Sequence, residues 1–321
     1  MHSFEELLVL VKEKFNVKHF PVEPSSLYAP NEYFLSLGGK RIRPVMCVMG
    51  NELFDTINPN VYHLANAIEL FHNFTLIHDD IMDKAPLRRG MQTVHTRYGE
   101  PTALLAGDVM LVRAYDYLNM INSPSLHKII HIFNRTAREV CEGQQLDMDF
   151  EKQEKVILED YIRMIELKTS VLLAACLQLG AVLGGAGQDN QNHLYQFGKN
   201  LGIAFQLQDD YLDAFGDPGK FGKQIGGDIM ANKKTFLMIK TLEVANDRQT
   251  NEIQSLIKDN PANKVDRMLE IFRDCGVDNW AKELKDRYVD TAFSHFEDIA
   301  VSGNRKDPLR QLAMFLIERE H

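Results

Sequence analysis

From Val61 to Asp83 the chain runs twenty-three residues without a glycine or a proline. Leu64, Ala67, Ile68, Phe71, Phe74 and Leu76 recur there at helical spacing, which predicts one long, mostly buried helix. That helix ends in LIHDDIMD, where Asp79 and Asp83 lie one turn apart and within ~40° of each other. Like charges so placed weaken an isolated helix by a few tenths of a kcal/mol. Taken alone, such a cluster reads equally well as a solvated acidic helix end.

The same spacing returns in QLQDDYLD as Asp209, Asp210 and Asp213. Each cluster follows an apolar helical run and precedes a loop that holds glycine, proline and cations (84–101 and 216–227). On facing helices, Asp79, Asp80, Asp83, Asp209, Asp210 and Asp213 would make an oxygen-rich, strongly anionic mouth. Such a mouth suits Mg²⁺, which is seldom fully caged by protein and is completed by substrate phosphates and water. Paired metal sites on carboxylates point to phosphate chemistry.

The remaining pattern is helical as well. Ser3 and Glu6 form a capping box ahead of Phe4, Leu7, Leu8 and Val11. Helices are expected over 110–120, 126–145, 160–183 and 192–215, and Asp307-Pro308 reads as the start of a last helix through Glu318. Period-two alternation is almost absent, and no Gly-rich phosphate loop, repeat or low-complexity segment occurs. The expectation is an all-α, single-domain helical bundle over residues 1–321.

A net charge of −9 argues against nucleic acid, whose phosphates require a basic surface. Cys47, Cys141, Cys176 and Cys275 are far apart without CxxC spacing and read as reduced thiols. The first fifteen residues mix both charge signs and carry no signal-like apolar run, so a cytoplasmic protein is expected. The best membrane candidate, 171–187, is interrupted by Gln178 and glycines and is shorter than the ~20 residues a span requires, so no integral membrane segment is expected.

Basic residues cluster around the acidic ones. Gly38-Gly39-Lys40-Arg41-Ile42-Arg43-Pro44 combines a tight turn with a helix entry, and Lys40 and Arg43 can converge on one anion. Arg88 and Arg89 follow the first cluster; adjacent arginines point in different directions and can serve two diphosphates, each through a bidentate fork. Lys168-Thr169 precedes the small-residue run at 171–187, and Lys223 and Asn232-Lys233-Lys234-Thr235 follow the second cluster. Lys234 is not placed in the site.

GGKRIRP, DDIMD…LRRG, Lys168-Thr169, FQLQDDYLD and GKQIGGD…NKKT, in that order over residues 38–235, resemble the trans-prenyl diphosphate synthases. The resemblance implies an isoprenoid synthase fold with a deep central cavity. It implies about three Mg²⁺ on the allylic diphosphate, held by Asp79, Asp83 and Asp209 with support from Asp80, Asp210 and Asp213. Arg88, Lys168, Lys223 and Lys233 would neutralise that diphosphate. Lys40, Arg43, His72 and Arg89 would bind isopentenyl diphosphate, and Thr169 and Gln206 would line the carbocation. His78 reads as structural. A homodimer is implied too.

In this family a bulky residue five positions before the first aspartate limits product length. Phe74, with small Thr75 next to it, resembles the short-chain geranylgeranyl synthases; a farnesyl synthase is the neighbouring reading, and plain core packing is the bland one for Phe74. A class I terpene cyclase shares one acidic motif but has no need of GGKRIRP. An HD-type phosphohydrolase built on His78-Asp79 leaves the second cluster unexplained, and a regulatory subunit would be expected to lose metal-binding residues. Two departures stand out: Gln224 adds a residue before the usual Gly-x-Asp, and the C-terminal Glu318-Arg319-Glu320-His321 is not the basic tail of some members.

Overall fold

The computed structural model describes residues 1–216 and 226–318. Lys223, Gln224 and residues 319–321 therefore lie outside the described residues. The only strands among the described residues are Leu87–Arg88 (β1) and Met91–Gln92 (β2), a hairpin in the register Leu87↔Gln92 and Arg88↔Met91. All other regular structure there is helical, as the near absence of period-two alternation predicts.

The chain gathers into two compact units. The first holds Met1–Phe133, Cys176–Gln191 and Val301–Leu309. It opens with α1 (Phe4–Phe15), where the Ser3–Glu6 capping box is formed, then α2 (Ser25–Ser36) and α3 (Ile42–Glu52). The long helix is α4 (Asn60–Met82), followed by the hairpin, α5 (Val94–Tyr98) and α6 (Glu100–Asn119). α6 begins ten residues before the predicted 110, with Pro101 in its first turn. It packs along α4 through small residues: Ala103, Ala106 and Ala114 are fully buried, and a side chain on Gly107 would run into the His78 ring. His19, buried between Tyr117 Oη and the Phe15 carbonyl at 2.8 Å each, is pushed by burial down to a pKa of about 4.

α9 (Val171–Leu183) crosses α3 backbone to backbone. A side chain on Gly50 would meet the Leu177 carbonyl, and one on Gly180 the Cys47 carbonyl. Leu158–Leu183 is long and apolar enough to cross a membrane by length and composition, but 83% of its most apolar window is buried in protein, as expected of a core helix.

The second unit holds Asn134–Ala175, Asn192–Ala300 and Arg310 onward. Helices α7 (Leu126–Lys152) and α10 (Gln188–Phe215) extend into it. The predicted helix 160–183 is broken: α8 (Leu158–Ile165) leads into a single π turn, Glu166–Ser170, before α9. Backbone closeness on both flanks accompanies that turn. Gly143 of α7 lies against the Lys168 backbone, and Gly202 of α10 leaves 2.8 Å between an added Cβ and Ser170. Then come α11 (Gly227–Met230), α12 (Phe236–Val244), α13 (Asp247–Asp259), α14 (Lys264–Asp274), α15 (Val277–Glu297) and α16 (Gly303–Glu318). Tyr161, Leu207, Phe236, Met268, Phe272 and Leu284 belong to its core.

The last helix starts at Gly303, not at Asp307-Pro308. Pro308 therefore sits in the second turn, where it offers no N–H to the Asn304 carbonyl. All four cysteines are free; Cys47 and Cys176 are buried, whereas Cys141 is exposed.

Candidate active site

Both aspartate clusters occupy the C-terminal ends of helices. Asp79 and Asp80 sit in the last turn of α4, and Asp83 is its C-cap, with its N–H donating to the Asp79 carbonyl at 2.8 Å. Asp209, Asp210 and Asp213 fill the last two turns of α10. That end of a helix dipole favours cations, so carboxylates there cost stability unless a cation is supplied.

In the first unit Asp80 is buried and already gripped by Arg88, whose Nε lies 2.9 Å from both carboxylate oxygens and whose Nη2 lies 2.8 Å from Oδ1. Asp79 is half-buried and Asp83 exposed. The hairpin explains why the two adjacent arginines diverge. Arg89 and Gly90 both take positive φ (54° and 76°), the pattern of a two-residue type I′ turn. Arg88 thus turns back to Asp80, while Arg89 Nη1 donates to the Gly38 carbonyl.

Around that carbonyl the GGKRIRP segment is bent by Gly38 (φ 80°) and Arg41 (φ 54°). Arg41 points inward, paired with buried Glu69 and stacked 4.4 Å from the Phe15 ring centroid, so it anchors the segment. Lys40 is left exposed. Arg43 Nη1 donates to His72 Nε2 at 3.1 Å. Burial, then the field of Arg43, Arg89, Arg88 and Arg41, holds His72 well below the usual histidine range. His72 is therefore neutral and carries its proton on Nδ1. Four arginines and Lys40 against two buried carboxylates, Glu69 and Asp80, leave this corner cationic, a place for an anion.

Phe74 is 9% exposed and packs edge-on to His78, with centroids 4.7 Å apart, and against Phe71 at 5.7 Å. Thr75 Oγ1 returns its proton to the His72 carbonyl at 2.8 Å. His78 Nε2 lies 3.2 Å from the Leu104 carbonyl on α6, which ties it to helix packing.

In the second unit Asp210 is buried and accepts bonds from two neutral groups, Tyr161 Oη on Oδ2 and Gln206 Nε2 on Oδ1 at 3.1 Å. Burial, with Asp228 and Asp209 adding negative field, pushes its pKa up to about 7. Burial pushes the Tyr161 phenol and the Asp213 carboxyl upward too. Asp213 Oδ2 accepts the Asp228 N–H at 2.9 Å, and Asp228 Oδ1 pairs with Lys233 Nζ at 2.8 Å. Lys168, on the π turn with half-buried Thr169, pairs with Asp147 of α7. Lys234 turns away to the Phe150 carbonyl at 2.7 Å, closing the end of α7.

These residues fit divalent cations. The carboxylates are crowded at the negative ends of dipoles, and burial, with the field of Asp228 and Asp209 added, keeps one of them protonated to about neutral pH, where a cation would favour its ionisation. Asp147, Tyr161 and Asp228 take part in these contacts without having been picked out in sequence. Asp228 could have been found from its GGD context; Tyr161, 49 residues before Asp210 on the buried face of an amphipathic helix, leaves no signal in spacing.

A family model described as polyprenyl synthetase matches residues 24–275. The chain belongs to the polyprenyl synthetase family. As a polyprenyl synthetase it is an enzyme of the prenyltransferase type. It is 38% identical over 316 residues to a geranylgeranyl pyrophosphate synthase of Geoglobus acetivorans, with 97% of each chain covered. It is 33% identical over 324 residues to a geranylfarnesyl diphosphate synthase of Natronomonas pharaonis, covering 95% of this chain and 93% of that one. Among solved structures, a geranylgeranyl pyrophosphate synthase superposes with TM-score 0.92 at 39% identity, covering 100% of both chains. A polyprenyl synthase from Caulobacter crescentus, complexed with calcium and isoprenyl diphosphate, superposes with TM-score 0.87 at 28% identity, covering 99% of this chain and 96% of that one. The all-α expectation and the isoprenoid synthase fold are thus borne out.

Proposed function

We propose that this polyprenyl synthetase condenses isopentenyl diphosphate with allylic diphosphates of five to fifteen carbons and releases mainly geranylgeranyl diphosphate. The observation that carries the reading is the pair of helix C-termini loaded with carboxylates, each with cationic side chains held beside it. Relatives that make C20 and C25 diphosphates by name support a short-chain product.

Asp79, Asp83 and Asp209, with Asp80, Asp210 and Asp213, would hold Mg²⁺, about three ions by family resemblance. Mg²⁺ bound there supplies positive charge to the oxygens of the departing diphosphate. Arg88, Lys168, Lys223 and Lys233 bind the same allylic diphosphate and stabilise its charge as the C–O bond breaks. Arg88 releases one contact to Asp80 to do so, and Lys168 and Lys233 arrive from Asp147 and Asp228. Lys40, Arg43 and Arg89 take isopentenyl diphosphate. His72, neutral, orients the Arg43 fork and offers Nδ1–H. The allylic carbon bonds to the isopentenyl double bond, and the departed diphosphate accepts the proton lost from the new junction. Thr169 and Gln206 line the cation and keep water out. Phe74 limits the depth available to the growing tail, with Thr75 beside it.

Residues 1–321 act as one domain in this reading, since four of the five unit boundaries fall within helices, namely α7, α9, α10 and α16. A cytoplasmic homodimer is the expected working form. Incubation with Mg²⁺, isopentenyl diphosphate and each allylic primer, with products sized by chromatography, tests the proposal. A C20 diphosphate is expected; a cyclised hydrocarbon or free phosphate alone would refute it.

A further inference from the structure

Residues 226–233, beyond the second aspartate cluster, are held at both ends. Near its start, the Gly226 N–H donates to the Asp213 carbonyl at 2.7 Å and the Asp228 N–H to Asp213 Oδ2 at 2.9 Å. At its end, Asn232 turns through φ 56° and Lys233 N–H reaches back to the Asp228 carbonyl at 2.9 Å. Asp213, Asp228 and Lys233 are thereby one hydrogen-bonded chain whose geometry depends on how residues 226–233 sit.

What they sit on is the first turn of α14. Lys264 is fully buried, and its Nζ reaches three oxygens: Asn232 Oδ1 at 2.6 Å, Asn260 Oδ1 at 3.0 Å and the Met230 carbonyl at 3.4 Å. An ammonium has three N–H donors, so all are used. The next residue, Val265, lies under the other end of the segment, where a Cβ on Gly226 would come within 2.5 Å of Val265 Cγ1. Two consecutive residues of α14 thus fix both ends of 226–232.

Stability alone does not favour a lysine here. It is the first residue of α14, at the positive end of the helix dipole, and its acceptors are neutral oxygens rather than a carboxylate. Burying an ammonium without a counter-ion is costly. A methionine would fill the space without that penalty, so what the lysine adds here is where its hydrogen bonds put the loop.

We propose that Lys264 is a positioning residue for the allylic-diphosphate subsite: by bonding Met230 and Asn232 it sets the reach of Lys233. The inference rests on the reading that Lys233 and the second aspartate cluster bind that diphosphate.

Steady-state kinetics on the full-length enzyme test it with Lys264→Met, Lys264→Arg, Asn232→Gly, Lys233→Met and the Lys264→Met/Lys233→Met double variant. Asn232→Gly keeps the left-handed backbone and removes only the Oδ1 acceptor, at an exposed position where folding is not at stake. Lys264→Met and Asn232→Gly are expected to lower kcat/KM for the allylic substrate ~10-fold, with KM for isopentenyl diphosphate within ~2-fold of wild type. Lys264→Arg should recover all but ~3-fold. The double variant should be no worse than Lys233→Met, because the two act through one group. Allylic kcat/KM within ~2-fold of wild type in Asn232→Gly, or losses that multiply in the double variant, would overturn the inference while leaving the subsite reading intact. A Lys233→Met enzyme with unchanged allylic kinetics would overturn the subsite reading itself, and this inference with it.

Discussion

The two aspartate clusters are near copies in sequence, yet the protein treats them differently. At the end of α4, the buried member Asp80 is neutralised by an arginine fork supplied eight residues later by a type I′ hairpin. At the end of α10, the buried member Asp210 has a phenol and an amide for company, and its pKa rises to about 7. Identical spacing therefore does not mean identical electrostatics. At the first cluster the buried carboxylate already has a cationic partner, whereas at the second burial holds Asp210 to a pKa of about 7.

The largest effect should come from removing one carboxylate from either cluster. Asp79→Asn and Asp209→Asn are each expected to lower kcat/KM by ~10³-fold, read by radiolabel incorporation. A much milder loss in one of them would break the symmetry of role that the shared motif suggests. Next comes the π turn. Gly143→Ala pushes on the Lys168 backbone and should cost both activity (~10-fold or more) and stability, while Gly180→Ala, which pushes α9 off α3, should cost stability by ~2–3 kcal/mol with kcat retained in the folded fraction. Urea unfolding alongside kinetics separates the two.

The third test is pH. Asp210→Asn resembles the protonated side chain and should lose more relative to wild type above pH 7 than below it. Mg²⁺ half-saturation in the wild type should improve as pH rises through 7. Stability of the metal-free protein carries the same contrast. His19 has a folded pKa of about 4, below the ordinary 6.5, so its stabilisation is full above pH 6.5 and about 3 kcal/mol is lost as pH falls toward 4. Asp210 has a folded pKa above its ordinary 3.8, so stability falls by about 4 kcal/mol as pH rises from 3.8 toward 7. The two oppose each other over that window. Asp210→Asn should leave the acid loss due to His19 uncovered in urea titrations at pH 4.5 and 6.5.

The smallest change expected is one of product size. Phe74→Ala should lengthen the product by one or more five-carbon units while the overall rate stays within ~3-fold, measured by chromatography of the hydrolysed products. An unchanged product would make Phe74 core packing alone, as its contacts with Phe71 and His78 also allow.

Local rules explain what was legible in the chain. The glycine-free run to Asp83 predicted α4 within one residue at each end, and the capping box placed α1, because both depend only on near neighbours. The π turn was not legible, because the glycines that crowd it, Gly143 and Gly202, are 25 residues before Lys168 and 32 residues after Ser170. Tyr161 and Asp147 were missed for the same reason: their meaning lies in partners on other helices. Asp307-Pro308 misled because a proline is tolerated in the second turn of α16, and a local start signal does not forbid an earlier one. Arg41 and Arg43 look alike in sequence; only the buried Glu69 shows that the first is an anchor.

Calorimetric titration of Mg²⁺ into the protein with an unreactive allylic diphosphate analogue tests the account most directly, comparing wild type with Asp79→Asn and Asp209→Asn. The account predicts about three ions per analogue in the wild type, fewer in both variants, and no tight binding when the analogue is left out. Full Mg²⁺ binding in Asp209→Asn would contradict it, because the second cluster would then have no part in holding the diphosphate.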